Sequence, residues 1–234
     1  MTIFTRVLLN PGKRRGRELL LDPQAMHATV RALFPPDLRT DEGRVLWRLD
    51  SSTEHTHLLY IVSPEAPDAT DLVERAGWVT RPAQSVDYQP MLDRLRTGQE
   101  WEFRLRANPV HSEPHTQGPR GKVLPHVTVA QQTRWLVGKS AQHGFEVLSH
   151  SEFSPEGDDE VVVHQVAVTE RRDLRFRRYD SKHGRHGHVT LRQAQFDGVL
   201  RVTDAGLLRA ALVNGIGRGK AYGCGLLTLA HSKV

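Results

Sequence analysis

The order of predicted elements constrains this chain most. Ile3 to Leu9 is a short β-rich run ended by Asn10-Pro11-Gly12, and a helix is predicted from about Pro23 to Phe34. Asp22 suits its N-cap, Pro23 suits its first position, and Pro35-Pro36 stops it. Met26, Val30 and Leu33 recur at spacings of four and three, which gives the helix one apolar face. Strands are predicted at Arg44 to Leu49 and His57 to Val62, then a short helix at Asp71 to Ala76 ended by Gly77. Trp78 to Asp87 supplies a last strand. The order β-α-β-β-α-β is that of a ferredoxin-like unit.

The pattern then restarts. Pro90 to Gly98 reads as a connection, and Trp101 to Ala107 alternates as a half-buried strand with Arg104 and Arg106 on one face. Asn108 to Pro125, rich in proline, glycine and histidine, is expected to be a mobile loop. A helix follows at Thr128 to His143 with Gly144 as its cap, then strands near Phe145 to Ser149, Val161 to Val168 and Val189 to Val202. Asp204 to Val213 and Leu226 to Ala230 supply the last helix and strand. The reading is α+β, two tandem ferredoxin-like domains at 1–89 and 100–234 joined by a linker at 90–99. At 234 residues, each half is long enough to bury a core.

Between the last helix and strand lies Asn214-Gly215-Ile216-Gly217-Arg218-Gly219-Lys220-Ala221-Tyr222-Gly223-Cys224-Gly225. Glycine lets backbone approach an anion and supplies positive φ, so Gly215, Gly217, Gly219, Gly223 and Gly225 suit a phosphate cradle charged by Arg218 and Lys220. The spacing is not that of a Walker A loop, and the order helix, glycines, strand favours a polymeric phosphate backbone over a nucleotide. A tightly packed glycine turn is the competing reading, and Tyr222 is expected to pack.

Charge is segregated. The net charge is +5, but residues 170 to 192 alone hold eight cations against Glu170, Asp173 and Asp180. An acidic stretch, Glu156 to Glu160, lies just upstream. Such a distribution reads as an electrostatic footprint that permits a nucleic-acid partner, with a solvated, mobile loop as the competing reading. One cysteine, Cys224, fits a reducing compartment. No apolar stretch suggests a secretory signal or a membrane span, so a cytoplasmic protein with no membrane partner is expected.

Several local strings together resemble one family. They are Asp22-Pro23-Gln24-Ala25-Met26-His27, Phe103-Arg104-Leu105-Arg106-Ala107-Asn108-Pro109, Phe196-Asp197-Gly198-Val199-Leu200, and Gly215-Ile216-Gly217 with Gly223-Cys224-Gly225-Leu226-Leu227. In this order they resemble the CasE type of CRISPR-associated endoribonuclease, of the repeat-associated (RAMP) group. The resemblance implies two ferredoxin-like domains. It also implies metal-free cutting of CRISPR repeat RNA at the base of its stem-loop, with the guide RNA product retained inside the Cascade complex. No cofactor is implied.

Such cleavage uses the RNA's own 2′-hydroxyl as nucleophile, so it needs a base, an acid and cations. His27 matches the family's catalytic histidine, and a neutral reference pKa suits it to proton transfer. Family members carry a tyrosine three residues earlier, where this chain has Gln24; glutamine can donate to a phosphate oxygen but cannot exchange a proton. Arg31, four residues on, shares the face of His27. For stem recognition the candidates are Arg171, Arg172, Arg175, Arg177, Arg178, Lys182 and Arg185 in a hairpin or arm, with Arg104 and Arg106 as a second group. The rivals are a non-catalytic RNA-binding subunit of the same complex, and a metal-dependent nuclease using His55, His57, His183, His186 and His188. The second is disfavoured because the chain has only one cysteine to accompany those histidines in a metal site.

Overall fold

A computed structural model describes residues 1–36, 38, 44–53, 56–113, 122–153, 160–180 and 185–231. The first half runs β1 (Ile3–Leu9), α1 (Arg14–Leu21), α2 (Pro23–Ala32), β2 (Leu46–Thr53), β3 (Thr56–Ser63), α3 (Thr70–Ala76) and β4 (Gln84–Asp87). Its antiparallel strands lie in the order β2-β3-β1-β4, the ferredoxin-like arrangement. The helix predicted at Pro23 is preceded by another, α1. The two are separate because Asp22 is extended and Pro23 has no N–H with which to continue the turn before it. Of the residues read as the last strand, only Gln84–Asp87 pairs, while the Trp78 indole donates to the Leu9 carbonyl at 3.2 Å.

The connecting stretch holds one helical turn, α4 (Gln89–Asp93). The second half runs β5 (Glu100–Ala107), β6 (Val110–Glu113), β7 (Lys122–Pro125), α5 (Val129–Ser140), β8 (Phe145–Val147), β9 (Ser149–Phe153), β10 (Glu160–His164), β11 (Val166–Asp180), β12 (Arg185–Val202), α6 (Ala205–Asn214) and β13 (Leu227–Ala230). The described ends of the expected loop at 108–125 form a hairpin, β6 against β7. Helix α5 starts with a full capping box between Thr128 and Gln131, and Gly144 closes the following turn at φ 75°. Among the described residues, no helix is long and apolar enough to cross a membrane.

The main sheet of this half again has ferredoxin-like order, β8-β12-β5-β13. Its edge is unusual. β8 pairs with only the last three residues of β12, the chain leaves as the β9–β10 hairpin, and β11 returns to pair along 185–198. Gly198 permits that return, because a Cβ there would lie 2.4 Å from the Gln165 carbonyl oxygen. Of the two forms expected for the basic segment, the structure has the hairpin, as a long β ribbon, and not the arm.

One apolar cluster crosses the two halves, joining Leu46, Val62 and Tyr88 to Leu105, Phe196, Leu212 and Leu226. At the same seam Arg48 is only 2% exposed. Its guanidinium donates to both Asp50 carboxylate oxygens (2.7 and 2.9 Å), to the carbonyls of Arg104 (2.8 Å) and Leu226 (3.0 Å), and to Thr228 Oγ1 (2.8 Å). A buried charge is tolerable only with such complete pairing.

Candidate functional site

Helix α2 packs through Met26 and Val30, each 1% exposed. The Asp22 carboxylate caps it by accepting from the Gln24 backbone N–H at 2.8 Å. Gln24, His27 and Arg31 then lie off the apolar stripe, the first two half-buried and Arg31 exposed. The Gln24 Oε1 atom is buried with no hydrogen-bond partner among the described residues.

The His27 ring centre lies 5.9 Å from that of Tyr222, which sits in a 3-10 turn of the glycine-rich loop. Tyr222 in turn meets Phe176 of β11, with centres 4.6 Å apart. Three segments remote in sequence thus converge: the histidine helix, the glycine loop and the basic ribbon. Tyr222 packs, as expected, but nothing in its sequence context indicates that it joins the other two.

All five loop glycines singled out above have positive φ, from 74° to 91°. Their roles differ. Gly215, Gly223 and Gly225 are buried, and a Cβ on Gly223 would lie 2.7 Å from the Trp47 ring. The backbone here is used internally, with Gly215 N donating to Ala211 O, and Gly225 N to Arg106 O at 2.7 Å. For these three the structure supports the packing reading instead of a phosphate cradle. Gly217 and Gly219 are half-buried, Arg218 is exposed, and Lys220 is half-buried with its ammonium pKa lowered by burial and by Arg44.

The two faces of the ribbon differ. Cross-strand pairs Leu174–Leu191 and Phe176–Val189 share the face that meets Tyr222. On the other face Arg171 and Arg175 are exposed, flanking Asp173, which pairs with Arg192 at 2.8 Å. Arg192 holds the Asp173 carboxyl below its ordinary pKa. Backbone is described for Arg177, Arg178 and Arg185, whose side chains lie outside the described residues, as does Lys182 entirely.

Arg104 and Arg106 correct the expectation of a free cationic strand face. Arg104 Nε donates to Asp197 at 2.5 Å and its Nη1 reaches Asp50 at 3.4 Å. Arg106 is 7% exposed, bonded to Glu170 (2.6 Å) and Gln195 (2.9 Å), and burial lowers its pKa. Arg172 also pairs with Glu170. A groove of about 690 Å³ beside Arg48, Arg104 and Asp197 is larger than the cleft lined by Met26 and Tyr222, but its charges already neutralise one another.

Among the described residues no group of side chains is arranged to hold a metal ion. The rings of His111 and His126 meet with centres 4.8 Å apart, and burial together with His111 lowers the His126 pKa. His55 and His183 lie outside the described residues, as do the side chains of His186 and His188.

Known proteins are similar to this chain in sequence and in fold. The model of a family described as CRISPR associated protein matches residues 3–231. The chain is 30% identical over 228 residues to the CRISPR-associated endoribonuclease Cse3 of Thermus thermophilus, spanning 97% of this chain and 99% of that protein. It is 30% identical over 220 residues to the Cascade subunit CasE of Escherichia coli, spanning 89% and 92%. Thermus thermophilus Cse3 bound to an RNA representing a pre-cleavage complex is similar at TM-score 0.74 and 28% identity, over 98% of each chain.

Proposed function

The chain belongs to the CRISPR associated protein family, and from that premise we propose that it is a CasE-type endoribonuclease cutting repeat RNA at the base of its stem-loop. The cut is metal-independent: the 2′-hydroxyl beside the scissile phosphate attacks phosphorus, and the 5′-oxygen of the next nucleotide leaves. The product guide RNA stays bound, and the other subunits of a Cascade complex are the protein's partners.

The observation that carries this reading is the convergence of His27, the glycine loop and the basic ribbon around Tyr222. His27 moves the proton, as base toward the 2′-hydroxyl or as acid toward the leaving oxygen. Gln24 and Arg31, one turn to either side, hold phosphate oxygens by hydrogen bonding and charge. Arg171 and Arg175 meet stem phosphates with Arg177, Arg178, Lys182 and Arg185, while Arg218 and Lys220 hold the backbone near the cut. Arg104, Arg106 and Arg172 support the fold through their carboxylate partners, so they leave the contact set.

Removing one 2′-hydroxyl tests the chemistry. Repeat RNA with a single 2′-deoxy nucleotide at the cut is expected to bind and stay intact, while all-ribose RNA is cut in EDTA to a 2′,3′-cyclic phosphate. Cleavage of the deoxy RNA, or loss of all-ribose cleavage in EDTA, would contradict the mechanism. Gln24, which cannot exchange a proton, favours one second reading, a guide-RNA holder that binds both RNAs and cuts neither.

A further inference from the structure

The turn that carries Tyr222 is short. It is one 3-10 turn, Lys220–Tyr222, set between Gly219 and Gly223, whose φ angles of 83° and 77° both lie in the left-handed region. Glycine enters that region at almost no cost and leaves it as readily, so the flanks permit the turn without fixing it. The carbonyl that ends such a turn also lacks a partner within it.

Gln193 supplies that partner. Its amide Nε2 donates to the Tyr222 carbonyl at 2.8 Å and lies 3.3 Å from Cys224 Sγ. Gln193 is 4% exposed and Cys224 is fully buried, so water does not compete for the bond. Burial pushes the Cys224 thiol pKa up to about 12, so at neutral pH the sulfur is a neutral thiol and a weak acceptor for the second amide hydrogen. The amide also stands on a rigid base. Gln193 pairs with Arg172 of β11, and the next residue, Ala194, pairs with both Arg171 of β11 and Ala107 of β5.

Tyr222 is thus held from both strands of the ribbon, its backbone by Gln193 of β12 and its ring by Phe176 of β11 at 4.6 Å. A ring contact lets the tyrosine slide, whereas the hydrogen bond fixes a direction. The same ring faces His27 at 5.9 Å. A proton-transfer group has to be held within about 0.5 Å of its productive place, and a displacement of about 1 Å can cost about 10²-fold in rate. We propose that Gln193 is a positioning residue for the cut: from β12 it fixes the Tyr222 turn, and through the Tyr222 ring it sets where the His27 imidazole stands. Being buried, Gln193 needs no contact with RNA to do so. The ribbon then serves twice, with its outer arginines toward the stem and this inward amide toward the histidine.

This inference rests on the endoribonuclease reading, and its test separates the two. Gln193→Met, which keeps the side chain's length and removes the donor, is compared in the full chain with wild type. Val147→Ala, a core truncation on β8 where Val147 is 6% exposed, serves as a destabilised control. Each protein is measured for single-turnover cleavage at saturating repeat RNA and for binding of the RNA with one 2′-deoxy nucleotide at the cut. Each is also measured for the His27 ring-proton NMR resonances, identified by their absence from His27→Ala. Gln193→Met is expected to cut about tenfold more slowly, to bind within about twofold of wild type, and to move the His27 resonances. Val147→Ala is expected to match wild type in rate and in those resonances. In a Tyr222→Leu background, Gln193→Met is expected to slow cleavage by less than about twofold more, because it acts through that ring. A wild-type rate in Gln193→Met at saturating RNA, or slowing with the His27 resonances unmoved, would overturn the positioning role. So would equal slowing in Val147→Ala, or the full effect of Gln193→Met in the Tyr222→Leu background. His27 resonances that move in Gln193→Met, in a chain that cuts no RNA, would uphold the link from Gln193 to His27 and overturn the nuclease reading.

Discussion

The Arg104–Asp197 pair shows how single residues hold this site's scaffold. Burial alone would raise the Asp197 carboxyl, but bonds from Arg104, Thr169 and Gln195 outweigh it and hold the pKa below the ordinary carboxylate value. A carboxylate depressed in the folded state stabilises above its unfolded pKa of about 3.9, and that contribution is lost as pH falls through the folded value. Asp197→Asn is therefore expected to lower the urea midpoint at neutral pH, with the gap to wild type closing under strongly acidic conditions. A gap independent of pH would contradict this account. The pairing also explains part of the resemblance seen in the sequence. The strings around Arg104, Asp197 and Leu227 are neighbours on strands β5, β12 and β13, where Arg104 faces Asp197 in register and Leu105 faces Leu227. Their engagement was not legible there: alternation places Arg104 and Arg106 on one strand, but the partners Asp50, Glu170 and Asp197 arrive from other elements.

Among the elements, the β11–β12 ribbon decides between the two forms that the sequence left open, a hairpin or an arm, in favour of the hairpin. Its arginines suggest a solvated segment, yet Leu174 and Phe176 alternate with Asp173 and Arg175 at the two-residue period of a strand with one apolar face. The outer face of β11 reads Arg171, Asp173, Arg175. The apolar face packs on Tyr222, which leaves the basic face outward, where the proposed stem contact would lie. Arg171→Ala and Arg175→Ala are each expected to weaken binding to all stem-loops alike and to lower the salt slope by about one unit. An unchanged slope in both variants would remove the ribbon from the interface. Helix α1 was not legible because half of its eight residues are charged and it buries only Gly16 and Leu19. The β8–β11 edge was hidden for a different reason. Two strands that share one neighbour are separated in sequence by a hairpin of their own.

At the scale of the whole molecule, the strand order repeats between the halves, and this much was readable from hydrophobic periodicity and turn residues. The seam between them was not, because it depends on contacts between residues far apart in the chain. Arg48 joins its own strand's Asp50 to the carbonyls of Arg104 and Leu226, and the apolar cluster continues across. Arg48→Met is expected to cost about 3–5 kcal/mol, since it leaves a largely buried carboxylate without its main partner. Urea unfolding of wild type and variant should each remain one transition, as a shared core requires; two separated transitions would contradict a continuous seam. This joint also fixes the site. His27 comes from the first half, while Phe176 and Tyr222 come from the second, so the site exists only when the halves are held together.

The most direct test of the central claim is cleavage of a stem-loop repeat RNA in EDTA by wild type and by His27→Ala, with binding of both measured alongside. The account predicts that the variant binds as wild type does and cuts about 10²–10⁴-fold more slowly, the usual contribution of a positioned proton-transfer group. Equal cleavage by the two proteins would contradict it.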